Sequence, residues 1–178
     1  MASAGEKVTI GISESYAEIK PYFECALDRS GIDYDLLYLP HSRVLYQLET
    51  DTLDAGFPFV RQTDRDKYAT ASFPVLPSAF LLVHLESTDL DIRSSKTRIA
   101  HLRGSEGVSA IAPQMIASEK TPVSSWDQAL ALLKRDRADA VVMTNGMHRS
   151  YGLGSRSDIS SVPAGDLTAG FYVSHSNP

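Results

Sequence analysis

The five histidines of this chain are the residues best suited to proton transfer or metal binding, but their spacing does not form a metal site. They are His41, His84, His101, His148 and His175, and no two stand in an i, i+4 pair. The chain also lacks a Gly-x-Ser-x-Gly nucleophile motif, a phosphate-binding loop and a dinucleotide fingerprint. We therefore expect no metal, no cofactor and no catalytic residue. An enzyme stays open as an alternative, which turnover of a bound compound would reveal.

Binding of an anion is better supported than catalysis. Gly104-Ser105-Glu106-Gly107 stands between a predicted strand and a predicted helix. Backbone N–H groups and the helix dipole at such a turn attract a carboxylate or a phosphate. An ordinary turn capped by Ser105 fits the same residues. Glu106 would stabilise the start of the helix by itself and would repel an anion.

Two arginines follow the end of another predicted strand. Arg61 and Arg65 flank Thr63, and a guanidinium there could hold a carboxylate through two parallel hydrogen bonds. The alternative is a surface loop in which the arginines pair with Asp64 and Asp66. Spacing alone does not separate the two interpretations.

Aromatic and small polar residues mark other predicted strand ends. Tyr16 and Phe57 could form the apolar walls that most ligand pockets have, or could belong to the core. Thr144 and Asn145 follow a buried strand and are neutral hydrogen-bonding groups. We count all four as candidate ligand contacts.

Composition and charge restrict the partners of the chain. Its 178 residues are 43% hydrophobic and 22% charged, which is typical of a globular protein. The net charge of −5 argues against broad nucleic-acid binding, which needs a basic surface. The longest apolar runs, such as residues 79–83, are too short to span a bilayer. Cys25 is the single cysteine, so no disulfide forms within the chain, and we predict that it packs as a small hydrophobe.

The first half of the chain alternates strands and helices, which predicts a parallel sheet with helices on its faces. The hydrophobic periodicity predicts strands over 7–12, 35–39 and 53–59 and a helix over 17–30. A second helix, with Val44, Leu45 and Leu48 on its buried face, is predicted to start at a Ser42 cap.

The second half repeats this alternation. Strands are predicted over 80–84, 98–102 and 138–143, and helices over 108–117, 126–135 (capped by Ser124 or Ser125) and 145–151. A loop over 152–161 and a final strand over 170–174, returning to the first half, complete the chain. These elements predict an α/β protein of two lobes, residues 1–88 with 167–178 and residues 89–166. Open parallel sheets bind ligands at the carboxyl ends of their strands, so we expect a ligand cleft between the lobes.

Four stretches together carry a resemblance to a known family. The segments 40–56, 63–74, 98–105 and 125–142 resemble, in order and spacing, the type II periplasmic binding-protein fold, and within it the extracellular solute-binding proteins of family 3. The second segment resembles the family's Thr-x-x-Arg-x-x-Tyr stretch, and the third resembles the strand and Gly-Ser turn of its second lobe. The resemblance covers most of residues 7–175.

The resemblance implies a function as well as a fold. It implies capture of a small polar or anionic organic solute by hinge closure, with Arg65, or Arg61 in its place, holding an anionic group and Ser105 holding it from the second lobe. It implies the membrane subunits of an ABC transporter as partners, and a periplasmic or extracytoplasmic location. The first five residues lack the apolar core of a signal peptide, so we expect a signal that has been removed.

Two departures from the family pattern bear on the solute. Thr63 and Arg65 are two residues apart, where the family often has three. Thr144-Asn145 stands where amino-acid binders often place an aspartate against the α-amino group, which argues against an α-amino acid ligand. The same fold also serves as the ligand-sensing domain of membrane receptors and as the effector-binding domain of regulators, and both remain alternatives.

Overall fold

The computed structural model describes residues 7–14, 16, 20–105 and 119–176. Contacts between Cα atoms divide the chain into two compact units, Met1–Leu76 with Ala169–Pro178 and Pro77–Thr168. The boundary falls after Leu76, the first residue of the strand at residues 76–85, which the sequence placed in the first lobe. The bounds of the predicted lobes differ from those of the units over residues 77–88 and 167–168, and each unit is described separately below.

The elements of the first unit are β1 (Val8–Ser13), α1 (Lys20–Ser30), β2 (Tyr34–Leu39), α2 (His41–Glu49), β3 (Ala55–Val60), β4 (Ala69–Ala71) and the last part of β9 (Ile159–Ser174). The strands form a mixed sheet in the order β2-β1-β3-β9, with β4 also pairing with β9. Strand β1 runs parallel to both β2 and β3, whereas β9 runs antiparallel to β3 and β4. The predicted β-α-β-α-β order of this half is confirmed.

Two layers of apolar side chains cover this sheet. Helix α2 packs so closely on one face that a Cβ at Gly11 would lie 2.9 Å from Val44 Cγ1. The buried cluster on this face consists of Val44, Leu48, Leu53, Phe59, Ala69 and Tyr172. A second cluster, centred on Ile10, Ile12 and Ala55, takes in Phe23 and Leu27 of α1.

Two details of the helices differ from the prediction. Helix α2 begins two residues earlier than expected, so its N-cap is Pro40 and Ser42 lies inside the first turn. Helix α1 is described from Lys20, with residues 17–19 outside the described part. Cys25 on α1 is exposed rather than packed, because α1 has no fully buried residue.

The elements of the second unit are β5 (Leu76–Leu85), β6 (Arg98–Leu102), β7 (Glu119–Val123), α3 (Trp126–Lys134), β8 (Ala140–Thr144), α4 (Asn145–Ser150) and the first part of β9. The strands pair in the order β9-β5-β8-β6-β7. Strand β6 runs parallel to β7 and β8, and β5 runs antiparallel to β8. Ser125 is the N-cap of α3 and accepts a hydrogen bond from Gln128 N at 3.2 Å, which decides between the two predicted caps.

The local sequence did not predict β7 or the first part of β9. Strand β7 carries Glu119, Lys120 and Pro122 in five residues, a composition depleted in strands. The predicted loop over 152–161 ends early, because β9 starts at Ile159 and runs for 16 residues through Pro163 and Gly165. The predicted helix over 108–117 lies outside the described residues.

Among the residues described, no helix is both long enough and apolar enough to cross a membrane.

Candidate functional site

The carboxyl ends of β1, β2 and β3 lie at one edge of the first unit's sheet, because these strands are parallel. Ser13 at the end of β1 is in register with Leu39 at the end of β2. His41 therefore begins α2 two residues beyond this point, and Arg61 follows the end of β3 directly.

Arg65 lies inside the first unit rather than on its surface. It begins a short 3-10 helix, Arg65–Lys67, and the preceding Asp64 accepts a hydrogen bond from its backbone N–H at 3.1 Å. Its side chain is only 4% exposed, and Nη1 donates to the carbonyl of Val60 at 2.9 Å. The guanidinium lies over the rings of Phe59 and Tyr172, at 5.3 and 6.0 Å from their centroids. These contacts position the cation within the core of the unit.

Arg61 is the more accessible of the two arginines. Its side chain is 76% exposed, and Nη2 donates to Asp66 Oδ2 at 3.1 Å. The pairing of this arginine with Asp66 is the alternative that the sequence left open. An exposed ion pair of this kind contributes little to stability, so Asp66 can release the guanidinium to another anion at small cost.

Two residues that the sequence did not select lie at the same edge. Ser13 is fully buried, and its Oγ has no hydrogen-bond partner among the described residues. His41 Nδ1 is likewise buried without a partner in that part of the chain, and its ring lies 4.8 Å from Phe59. Burial, with a further contribution from nearby Arg65, lowers the pKa of His41 to about 3, so the imidazole is neutral at physiological pH. Their positions after β1 and β2 were the only signal in the sequence.

Replacing Ser13 with alanine is expected to leave the free energy of unfolding unchanged or to raise it by about 1 kcal/mol. A buried hydroxyl without a partner costs desolvation energy, and alanine removes this cost. Urea unfolding would measure the change, with Ser125→Ala as the control of opposite sign. That variant loses a helix cap and is expected to lose about 1 kcal/mol. A clear loss of stability in Ser13→Ala would show that the hydroxyl has a partner.

Phe57, a predicted wall residue, lies in an aromatic cluster in the first unit. Its ring stacks on Phe23 at 4.9 Å between centroids and lies tilted against Phe171 at 4.7 Å. The cluster lines a cavity of about 550 Å³ whose other walls include Leu27 and Val75. This cavity is apolar and lacks the charged groups that would hold an anion. Tyr16, the other predicted wall residue, is half-buried just beyond the end of β1.

The second unit places Thr144 and Asn145 side by side where β8 ends and α4 begins. Thr144 is buried and caps α4, its Oγ1 accepting from Met147 N at 3.3 Å. Asn145 is half-buried, and its Oδ1 accepts from Ser78 Oγ at 2.9 Å. Ser78 lies in β5, far from Asn145 in the sequence, and was not predicted as a site residue.

Ser105 lies at the same edge of this sheet, because β6 and β8 are adjacent and parallel. Gly104 takes a positive φ of 86°, which glycine adopts without strain, and this turns the chain after β6. The Ser105 hydroxyl donates to the carbonyl of Leu102, so it closes the turn. Glu106 lies outside the described residues.

The two buried histidines of the second unit have backbone partners. His84 Nδ1 lies 2.9 Å from the carbonyl of Leu85, and His101 Nδ1 lies 3.2 Å from that of Leu102, so each ring nitrogen donates. In the described part of the chain, no group of three or more His, Cys, Asp and Glu residues could hold a metal ion.

Solved structures of solute-binding proteins resemble this chain over nearly its whole length. The arginine-, lysine- and histidine-binding protein ArtJ from Geobacillus stearothermophilus matches with a TM-score of 0.81 at 14% identity, over 97% of this chain and 84% of that protein. The chain has the two-lobed type II periplasmic binding-protein fold. This result confirms the fold class predicted from the sequence.

Two other structures with this fold extend the comparison. The substrate-binding protein of an amino acid ABC transporter matches with a TM-score of 0.76 at 14% identity, over 97% of this chain and 87% of its own. The periplasmic VFT2 domain of BvgS from Bordetella pertussis matches with a TM-score of 0.76 at 12% identity, over 95% and 81%. No protein-family model and no curated protein sequence matches the chain. The type II fold is therefore established by structure.

Proposed function

We propose that this protein captures a small polar or anionic organic solute for uptake by an ABC transporter. The observation that carries the proposal is the match over 97% of the chain to proteins described as amino-acid-binding and as an ABC transporter's substrate-binding protein. Hydrogen-bonding side chains at the carboxyl edges of both sheets support it, since this edge is where open α/β sheets bind ligands.

The proposed contacts are divided between the two units. In the first unit they are Arg61 and Arg65 for an anionic group, with Tyr16 and Phe57 as apolar walls. In the second unit they are Ser105, Glu106, Thr144 and Asn145. Arg61 is the more accessible cation, whereas Arg65 is held by contacts within the core. We therefore place the first anionic contact at Arg61.

A sensing role is the second candidate. It follows from the resemblance to a fold that also serves as the ligand-sensing domain of membrane receptors, and a periplasmic domain is among the structures that match. The matches to transport proteins favour uptake, and the neighbouring structures named here are described as binding proteins or domains rather than enzymes. We place the protein in the periplasm or another extracytoplasmic compartment, with the membrane subunits of a transporter as its partners.

Thermal unfolding with a panel of small solutes tests the proposal. The panel consists of lactate, pyruvate, succinate, glutarate and citrate, with alanine, glutamate, glutamine and arginine as amino acids. A compound at ten times its Kd is expected to stabilise the fold by about 1.4 kcal/mol. If no compound of the panel stabilises the protein at millimolar concentration, solute capture of this kind is contradicted.

Arg61→Gln locates the anionic contact within the same assay. Loss of a charge-assisted hydrogen bond is expected to weaken binding of the best acid by roughly tenfold. Arg43→Gln is the matched control, because Arg43 is an exposed arginine of the same unit whose guanidinium lies over Tyr46. Equal Kd values for the two variants would remove Arg61 from the site.

A further inference from the structure

The side-chain amide of Asn145 is held in one orientation by Ser78. The Ser78 hydroxyl donates to Asn145 Oδ1 at 2.9 Å across 67 residues of sequence. Strands β5 and β8 bring the two residues together, because Phe80 pairs with Thr144 in antiparallel register. The oxygen of the amide therefore faces Ser78 and accepts a hydrogen bond within the protein.

This orientation leaves Nδ2 and its two hydrogens as the free end of the amide. Asn145 Nδ2 makes no hydrogen bond to another residue in the described part of the chain, and the residue is half-buried rather than enclosed. An amide N–H donates to carboxylate, carbonyl and hydroxyl oxygens, and it cannot accept from an ammonium group. Asn145 therefore presents the N–H groups of Nδ2, which are hydrogen-bond donors.

The residues around Asn145 also disfavour an ammonium group. Ser78, which bonds to Asn145, is neutral, and so are Thr144, the chain neighbour of Asn145, and Ser105 at the same edge of the sheet. None of these side chains carries a carboxylate, so an ammonium group brought out of water against Asn145 would gain no opposite charge from them, and this is costly.

We propose that the Ser78–Asn145 pair selects a solute that presents an acceptor oxygen, and no ammonium group, to Asn145. Asn145 contacts the solute, and Ser78 acts as its positioning residue. The inference rests on the proposed function and narrows it to organic acids that lack an α-amino group.

Matched solute pairs measure this selectivity directly. Glutarate differs from glutamate by the ammonium group, and lactate differs from alanine by a hydroxyl in place of that group. Isothermal titration of the wild type is expected to give at least about tenfold tighter binding to the ammonium-free member of the better-binding pair. Binding of the amino acid as tightly as its partner would overturn the inference and leave the proposed function standing.

Asn145→Asp replaces the donor with a carboxylate of nearly the same shape. The ratio of the two Kd values is expected to shift by about 10- to 100-fold toward the amino acid, because like charges now repel the acid and the ammonium gains a partner. Gln128→Glu is the control: it makes the same amide-to-acid change at an exposed position of the same unit, and its ratio is expected to match that of the wild type.

Ser78→Ala keeps the test decisive if Asn145→Asp does not fold. Without the serine hydroxyl the amide can turn, so the Kd ratio is expected to fall severalfold while the uncharged site stays intact. An unchanged ratio in both folded variants overturns the inference. If no compound of either pair, and none of the wider panel, binds the wild type, the proposed function itself fails.

Discussion

Replacing Arg65 with alanine is expected to lower the free energy of unfolding by about 3 kcal/mol. The variant loses a charge-assisted hydrogen bond to the Val60 carbonyl, which is worth roughly 1.5–3 kcal/mol. It also loses the stacking of a desolvated guanidinium over Phe59 and Tyr172, which contributes up to about 2 kcal/mol. Chemical denaturation, followed by circular dichroism, would measure the loss.

Arg61→Ala is the control for this prediction. Its side chain is 76% exposed and makes a surface ion pair with Asp66, so its removal is expected to change stability by no more than about 0.5 kcal/mol. Similar losses for the two variants would contradict the buried role of Arg65.

Arg65→Ala alone cannot test whether Arg65 contacts the ligand, because the variant is also expected to be less stable. A lost ligand response in Arg65→Ala would follow from a weakened fold as readily as from a lost contact. Arg65→Lys keeps the positive charge, so binding by that variant, compared at equal folded fraction, separates the two causes.

Acidification from pH 7 to pH 5 is expected to cost the protein about 2 kcal/mol through His41 alone. The folded-state pKa of His41 is lowered to about 3, against an ordinary value of 6.5, because the ring is buried and lies near Arg65. Between pH 6.5 and pH 3, the His41 imidazole therefore binds a proton in the unfolded chain but not in the folded chain. Stability from this residue is complete above pH 6.5 and falls as the pH drops toward 3, by up to about 1.4 kcal/mol per pH unit.

His41→Phe should remove this dependence, because phenylalanine keeps a ring against Phe59 and cannot take up a proton. Unfolding free energies at pH 5, 6 and 7 would show a flatter profile for the variant than for the wild type. His175→Gln is the control, since His175 is exposed, and its profile is expected to follow the wild type.

The chosen pH window isolates His41 from the aspartates. The Arg98 side chain, which donates to Asp139, holds the pKa of that carboxyl below its ordinary value of 3.8. Its stabilising effect is present above that value and is lost only as the pH falls further. A profile for His41→Phe that is as steep as the wild type between pH 5 and 7 would show that the imidazole is accessible to protons in the folded state.

The sequence predicted the strands that are short, β-branched and bounded by turn residues, and it predicted their order. β6 was located at residues 98–102 as observed, and α3 was located to within one residue, because period and capping are local properties. The start of β9 and the whole of β7 were missed. Their strand conformation is imposed by hydrogen bonds to distant strands, against the local preference of Pro163, Gly165 and Pro122.

Some properties of the candidate site could likewise be predicted from the sequence, and others could not. Its residue types and their places after strands could be predicted, because the carboxyl edge of a parallel sheet follows from the order of elements. Which arginine is buried could not be predicted, since Arg61 and Arg65 stand in similar local sequence. Only the packing of Phe59 and Tyr172 decides it.

By itself, then, the sequence determined an α/β chain of two lobes with polar and charged groups at its strand ends. Tertiary structure alone decided the hydrogen-bonding direction of Asn145, the burial of Ser13 Oγ away from any partner among the described residues, and the neutral state of His41. The physical reason is that each of these depends on burial and on a partner brought close by strand pairing. Ser78 and Asn145 are 67 residues apart in the chain and 2.9 Å apart in the fold.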